Sequence, residues 1–117
     1  MRILVVDDEP DVLMTVCGLL DALGHQTECA HSVAEARTRL DADTFDAVLS
    51  DVHMPRARGT ELAEGLATSH PQLPVVLMTG DPGARAECAE RWCTLQKPLR
   101  RSDLERALAG PPVADRM

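Results

Sequence analysis

Ile3-Leu4-Val5-Val6-Asp7-Asp8-Glu9-Pro10 sets four apolar residues against an abrupt stop of acid and proline. A short continuous apolar run ended by a breaker reads as a strand buried on both faces, as in a parallel sheet. Glu9-Pro10 then suffices to start a helix. Val12, Val16, Leu19, Leu20 and Leu23 recur at helical spacing behind it, and Gly24 closes that helix as a C-cap.

The same punctuation repeats outward from this unit. Gln26 to Ala30 reads as a mixed, polar edge strand. Ser32-Val33-Ala34-Glu35 has the form of a capping box opening a helix that carries Val33, Ala36 and Leu40. Ala47-Val48-Leu49-Ser50 is the next strand and ends at Asp51; Pro55 and Gly59 mark a loop before a helix over about Thr60 to Thr68, with Leu62 and Leu66 inward. Val75-Val76-Leu77-Met78 follows Pro74 and ends at Thr79-Gly80. A short helix is expected around Ala84 to Arg91, then a last strand over Cys93 to Gln96 ending at Lys97-Pro98. Ser102-Asp103-Leu104-Glu105 reads as a second capping box, with Leu104 and Leu108 as its helix's apolar face and Gly110-Pro111-Pro112 as its stop. Five strand-helix repeats predict an α/β fold with a doubly wound, five-stranded parallel sheet and helices on both faces; the flavodoxin-like order 2-1-3-4-5 is the one expected for it.

Composition narrows the function classes. At 117 residues the chain fits one domain, and 44% apolar content argues against disorder. Twelve basic against 19 acidic side chains give a net charge of −7, a poor match to a phosphate backbone, so no nucleic-acid partner is expected. No apolar stretch approaches the roughly 18 residues of a membrane span, and no leader is read, so neither a membrane partner nor export is expected and the domain is placed in the cytoplasm. Cys17, Cys29, Cys88 and Cys93 form neither a CxxC pair nor a zinc pattern. They are expected to be reduced, mostly buried thiols, with Cys88 and Cys93 the pair near enough in sequence for a redox role.

Polar residues fall where the strands end: Asp7 and Asp8 after the first, Asp51 after the third, Thr79 after the fourth and Lys97 after the fifth. In this strand order the crevice at the switch point lies between strands one and three, which brings Asp7, Asp8 and Asp51 together. Three adjacent carboxylates repel unless a cation offsets them. Mg²⁺ suits such a set, since it takes one or two carboxylates, keeps waters and adds phosphate oxygens. Asp8 and Asp51 are the expected direct ligands, Asp7 the holder of a metal-bound water, and the carbonyl of His53 a further donor. A carboxylate can also be a phosphoryl acceptor. Lys97 and the Thr79 hydroxyl would then meet the charge on the transferred group, and Gly80, lacking a side chain, would let its N–H approach.

Taken together, Val5-Val6-Asp7-Asp8-Glu9-Pro10, Asp51-Val52-His53-Met54-Pro55 with Gly59, Met78-Thr79-Gly80 and Lys97-Pro98-Leu99 resemble the signature of response-regulator receiver domains, over nearly the whole chain. The resemblance implies that Asp51 accepts phosphate from a histidine kinase or a histidine phosphotransfer protein, that Asp7 and Asp8 bind Mg²⁺, that Thr79 and Lys97 hold the phosphoryl group, and that Lys97-Pro98 is a cis peptide. It implies a signalling domain over residues 1–110 with a short tail, 111–117, acting on an unidentified downstream protein and catalysing only its own phosphorylation and dephosphorylation. Met1 is expected to be a natural start.

Two departures concern output. The family usually has an aromatic residue three positions before the lysine, whose rotation reports phosphorylation; here Thr94 stands there, with Trp92 two residues earlier on the same face if the strand is regular. Packing is the favoured reading of Trp92. Thr79 to Lys97 is also about one helical turn shorter than the resemblance leads one to expect, and Gly80-Asp81-Pro82-Gly83 is rich in breakers, so the fourth helix should be short or distorted. Two other functions fit parts of the pattern: a phosphorylation-independent interaction module keeping only the fold, and an aspartate-nucleophile phosphatase. The second lacks an acid/base carboxylate two residues after Asp51, where His53 stands.

Overall fold

The computed structural model describes residues 1–109. The expected stop of the last helix at Gly110 and the tail 111–117 lie outside these. Five strands, β1 (Arg2–Val6), β2 (Gln26–Ala30), β3 (Ala47–Asp51), β4 (Val75–Thr79) and β5 (Cys93–Gln96), alternate with α1 (Pro10–Ala22), α2 (Val33–Ala42), α3 (Gly59–Ser69), α4 (Pro82–Cys88) and α5 (Arg101–Leu108). All neighbours in the sheet are parallel and the order is β2-β1-β3-β4-β5.

The pleat sends alternate residues to opposite faces, and each face has its own core. Ile3, Val5, Leu49 and Met78 pack with Leu13, Val16 and Leu20 of α1 and Leu104 of α5. Leu4, Val6 and Val48 pack with α2 and α3 through Val33, Ala36, Leu40, Leu62 and Leu66. A third cluster, Val52, Ala63, Leu77 and Cys88, joins α3 and α4 to the sheet. The two layers of helix are therefore α1 with α5, and α2 with α3 and α4.

Several local expectations need correction. The buried stripe of α1 is Leu13, Val16 and Leu20, while Val12, Leu19 and Leu23 are only partly buried. At α2, Ser32 accepts from the Glu35 amide at 3.1 Å, but the Glu35 carboxylate takes the His31 amide at 2.7 Å, one residue before the cap. The box at α5 starts two residues early: Asp103 accepts from the Arg100 amide at 3.0 Å, so Ser102 lies inside the helix. The fourth helix is short, seven residues, yet regular; Asp81 caps it by accepting from the Gly83 amide at 2.9 Å, and Pro82 sits in its first turn. The breakers thus begin this helix earlier than the apolar pattern suggests. Among the cysteines only Cys88 is buried; Cys17 and Cys29 are half-buried and Cys93 is exposed.

The amino-terminal edge of the sheet is held by ions. The Arg2 guanidinium pairs with Glu28 and with Asp43 (2.7 Å), donates to the Thr44 carbonyl (2.9 Å) and lies 4.7 Å from the centre of the Phe45 ring. The opposite edge carries the polar strand ends.

Candidate functional site

Asp7 follows β1 and Asp51 ends β3, two strands with no exposed side, and burial follows: Asp7 is fully buried and Asp51 is 5% exposed. The pairing of β1 with β3 sets Val6 beside Ser50, so the residues after each strand emerge together. Asp7, Asp8 and Asp51 each offer a carboxylate oxygen within 4.8 Å of the others, with Asp8 nearest the surface.

Lys97 reaches this cluster from β5. Its backbone amide donates to the Thr79 carbonyl at 2.8 Å, which fixes the end of β5 against the end of β4, and the Lys97–Pro98 peptide is cis. The ammonium lies 3.0 Å from Asp7 Oδ2 and 3.1 Å from Asp51 Oδ1. Asp7 Oδ1 accepts from the Glu9 amide at 2.9 Å, so both oxygens of Asp7 are engaged by the protein. Three carboxylates against one ammonium leave two formal negative charges in a cluster buried at Asp7 and Asp51.

Titration behaviour follows from burial first and from the neighbouring charges second. Burial, and then the Asp7 charge, raise the Asp51 carboxyl above the ordinary aspartate value, against an opposing pull from Lys97. Burial alone would lower Lys97, but its hydrogen bond to Asp7 and the charges of Asp51 and Asp7 outweigh it, and its pKa stands above the usual lysine value. An all-oxygen donor set with two unbalanced negative charges fits a hard divalent cation such as Mg²⁺, with Asp8 and Asp51 holding the oxygens left open to it.

The other predicted residues fall nearby with distinct roles. Thr79 is fully buried, and its Oγ1 accepts from the Asp81 amide at 3.1 Å, the N-cap residue of α4. Gly80 is exposed, and a Cβ there would meet nothing within 4 Å; packing within the chain therefore does not demand glycine. His53 is exposed beside Asp51. Thr94 is buried, and its hydroxyl donates to the Trp92 carbonyl at 3.0 Å. Trp92 lies just before β5, packed on the Val52, Ala63, Leu77 and Cys88 cluster with the Arg91 guanidinium 4.3 Å from its ring centre.

Three features of the site were not read from sequence. A Cβ on Gly59 would lie 2.1 Å from the Asp51 carbonyl oxygen, so the start of α3 rests directly on the backbone of the acid. The Ser50 hydroxyl donates to that same carbonyl at 3.0 Å. Arg56, in the loop between β3 and α3, has φ of 72°, a left-handed conformation uncommon for a long side chain. Gly59 was taken as loop punctuation; its contact, like the other two features, depends on tertiary placement.

Comparison with known proteins agrees with this arrangement. A family model described as the response regulator receiver domain matches residues 3–109. The response regulator protein PilR of Pseudomonas aeruginosa is 33% identical over 102 residues, covering 84% of this chain and 23% of that protein. Response regulator MprA of Mycobacterium avium is 37% identical over 91 residues, 78% of this chain and 38% of that protein. The chain thus spans well under half the length of these relatives. A solved response regulator receiver domain protein from Clostridium thermocellum superposes with a TM-score of 0.80 at 27% identity, over 92% of this chain and 90% of that one.

Proposed function

This chain belongs to the response regulator receiver domain family, and on that premise we propose that its Asp51 accepts a phosphoryl group in a Mg²⁺-dependent reaction and thereby switches a protein partner. Receiver domains are signalling modules rather than enzymes of external substrates; histidine kinases phosphorylate them, and an acidic cluster binds their Mg²⁺. The observation that carries the proposal is Lys97, 3.0 Å from Asp7 and 3.1 Å from Asp51, reaching from the end of β5 to an acidic cluster built from the ends of β1 and β3.

Asp51 is the nucleophile: its carboxylate stands within the acidic cluster at the end of β3, and its own carbonyl accepts from the Ser50 hydroxyl. Asp8 and Asp51, with the His53 carbonyl, would hold Mg²⁺, which when bound supplies positive charge to phosphoryl oxygens. Asp7, engaged by Glu9 and Lys97, orients rather than attacks. Lys97 offers a fixed positive charge, and the Thr79 hydroxyl and the Gly80 amide offer donors. The phosphoryl donor is a histidine kinase or a histidine phosphotransfer protein, met in the cytoplasm.

Output leaves by a route of this chain's own. Thr94 has no ring to rotate, whereas the Thr79 hydroxyl is bonded directly to the cap of a seven-residue α4. The surface presented by α4 and β5, or α1 in its place, carries the signal to the partner. The test is incubation with acetyl phosphate and Mg²⁺ followed by intact mass. The expected result is an adduct of about 80 Da that is absent in Asp51→Asn and absent when EDTA replaces Mg²⁺. An unmodified wild-type protein, or an adduct that survives Asp51→Asn, would overturn the assignment.

A further inference from the structure

Cys17 and Cys29 lie twelve positions apart, on α1 and on the edge strand β2, yet their Sγ atoms are 3.1 Å apart in a hydrogen-bonded contact. Both are half-buried rather than sealed in the core. The other two thiols differ: Cys88 is buried at the end of α4 and Cys93 is exposed at the start of β5. A disulfide needs sulfurs about 2.05 Å apart, so the pair must close by roughly 1 Å. Side-chain rotation is the natural way to supply that movement, because α1 and β2 already pack against one another through the core they share.

We propose that Cys17 and Cys29 form a built-in oxidation site, at which a hydroperoxide converts the two thiols into an intramolecular disulfide tying α1 to β2. Burial, and then the hydrogen bond to Cys29, push the Cys17 thiol up to about 12. The reaction opens at Cys29, the sulfur on the edge strand. Its sulfur, on losing its proton, attacks the hydroperoxide; the O–O bond breaks, Cys29 becomes a sulfenic acid and the alcohol departs after taking a proton. Cys17 then attacks the sulfenyl sulfur, the S–S bond forms, and the hydroxyl leaves as water with the Cys17 proton. The sum is two thiols plus one hydroperoxide giving one disulfide, one alcohol and one water.

The site's place in the fold gives the modification a reach. The Ala30 carbonyl, one residue after Cys29, accepts the amide of Asp7 at 3.1 Å, and α1 begins two residues after Asp8. The bond would therefore fasten together the two elements that flank the acidic pair.

The test exposes the native reduced protein to stoichiometric hydrogen peroxide, then quantifies free thiols by alkylation and maps cross-linked peptides by mass spectrometry. The expected result is loss of about 2 Da, a 17–29 cross-link reversed by dithiothreitol, and a higher midpoint of thermal unfolding in the oxidised form. Cys17→Ser and Cys29→Ser should each abolish the cross-link, and the double variant Cys88→Ser/Cys93→Ser should retain it. Four alkylatable thiols after peroxide, a cross-link through Cys88 or Cys93, or a 17–29 bond that forms only in denaturant would each overturn the proposal.

Discussion

Gly59 and Gly80 flank the same cluster under opposite constraints. Gly59 has no room for a methyl, because the obstacle 2.1 Å away is the backbone oxygen of Asp51 and cannot rotate aside. Gly59→Ala is expected to cost about 1–3 kcal/mol in chemical denaturation and to lower the rate of phosphorylation by acetyl phosphate. Gly80→Ala, with nothing within 4 Å of the added carbon, is expected to change stability by no more than about 0.5 kcal/mol. Any larger effect of Gly80→Ala on phosphorylation rate would then report its amide's approach to the phosphoryl group. The residues of the cluster were legible because each follows an apolar run: Asp7, Asp8, Asp51, Thr79 and Lys97 interrupt or end a strand in sequence as they do in space. Lys97 was legible as a strand-end residue but not as the ion-pair partner of Asp7 and Asp51, since 90 residues separate it from Asp7. The Cys17–Cys29 contact was likewise unreadable, because helix and strand periodicities say nothing of which residues meet across them.

At the scale of elements, the short α4 depends on its first turn. Its seven residues are too few to be stable alone, and Asp81 supplies the side-chain cap. Asp81→Ala should remove about 1 kcal/mol of local stability, visible as faster amide exchange in α4 with little change in β4. Sequence placed this helix too late because Gly80-Asp81-Pro82-Gly83 was weighed as disruption. An Asp followed by Pro is also how a helix starts, and burial of Ala84 and Cys88 decides which reading holds. The error at α5 has the converse cause: Ser102 is a favoured cap by type, but the Asp103 carboxylate reaches the Arg100 amide and starts the helix earlier. In α1 nearly every side of the helix offers an apolar residue, so only packing selects Leu13 over Leu19. At the amino-terminal edge, the Arg2 hydrogen bond, followed by the Thr44 amide, pulls the Asp43 carboxyl down to about 2 from an ordinary 3.8. A depressed folded-state pKa contributes stability that is full above 3.8 and is lost as pH falls through about 2. Asp43→Asn should therefore be less stable than wild type near neutrality and converge with it near pH 2 in pH-resolved denaturation; a gap independent of pH would contradict the pairing.

The whole molecule divides its charges between two edges of one sheet. Arg2 and Arg39 balance Glu28 and Asp43 at one edge, while Asp7, Asp8, Asp51 and Lys97 leave two formal negative charges at the other. A ligand that binds only the folded state stabilises it, and Mg²⁺ at a hundredfold excess over its Kd should add about 2.7 kcal/mol. Calorimetry should accordingly show the melting midpoint rising with Mg²⁺ in wild type. Asp51→Asn should melt higher than wild type in EDTA, because it removes a carboxylate that burial and Asp7 disfavour, and should gain less from Mg²⁺. The parallel, doubly wound architecture was readable from five repeats of one pattern, whereas output was not, because it depends on which small movements the packed elements permit. The hydroxyl of Thr79 makes one such dependence explicit. Its oxygen accepts from the amide that begins α4, and the same side chain is the donor proposed for the phosphoryl group. Two equilibria drawing on one group are linked, and linkage runs equally in both directions. If the incoming group loosens that amide, then a partner that clamps α4 in its capped form must weaken the grip on the group by the same factor, so the listener would help set how long the message lasts.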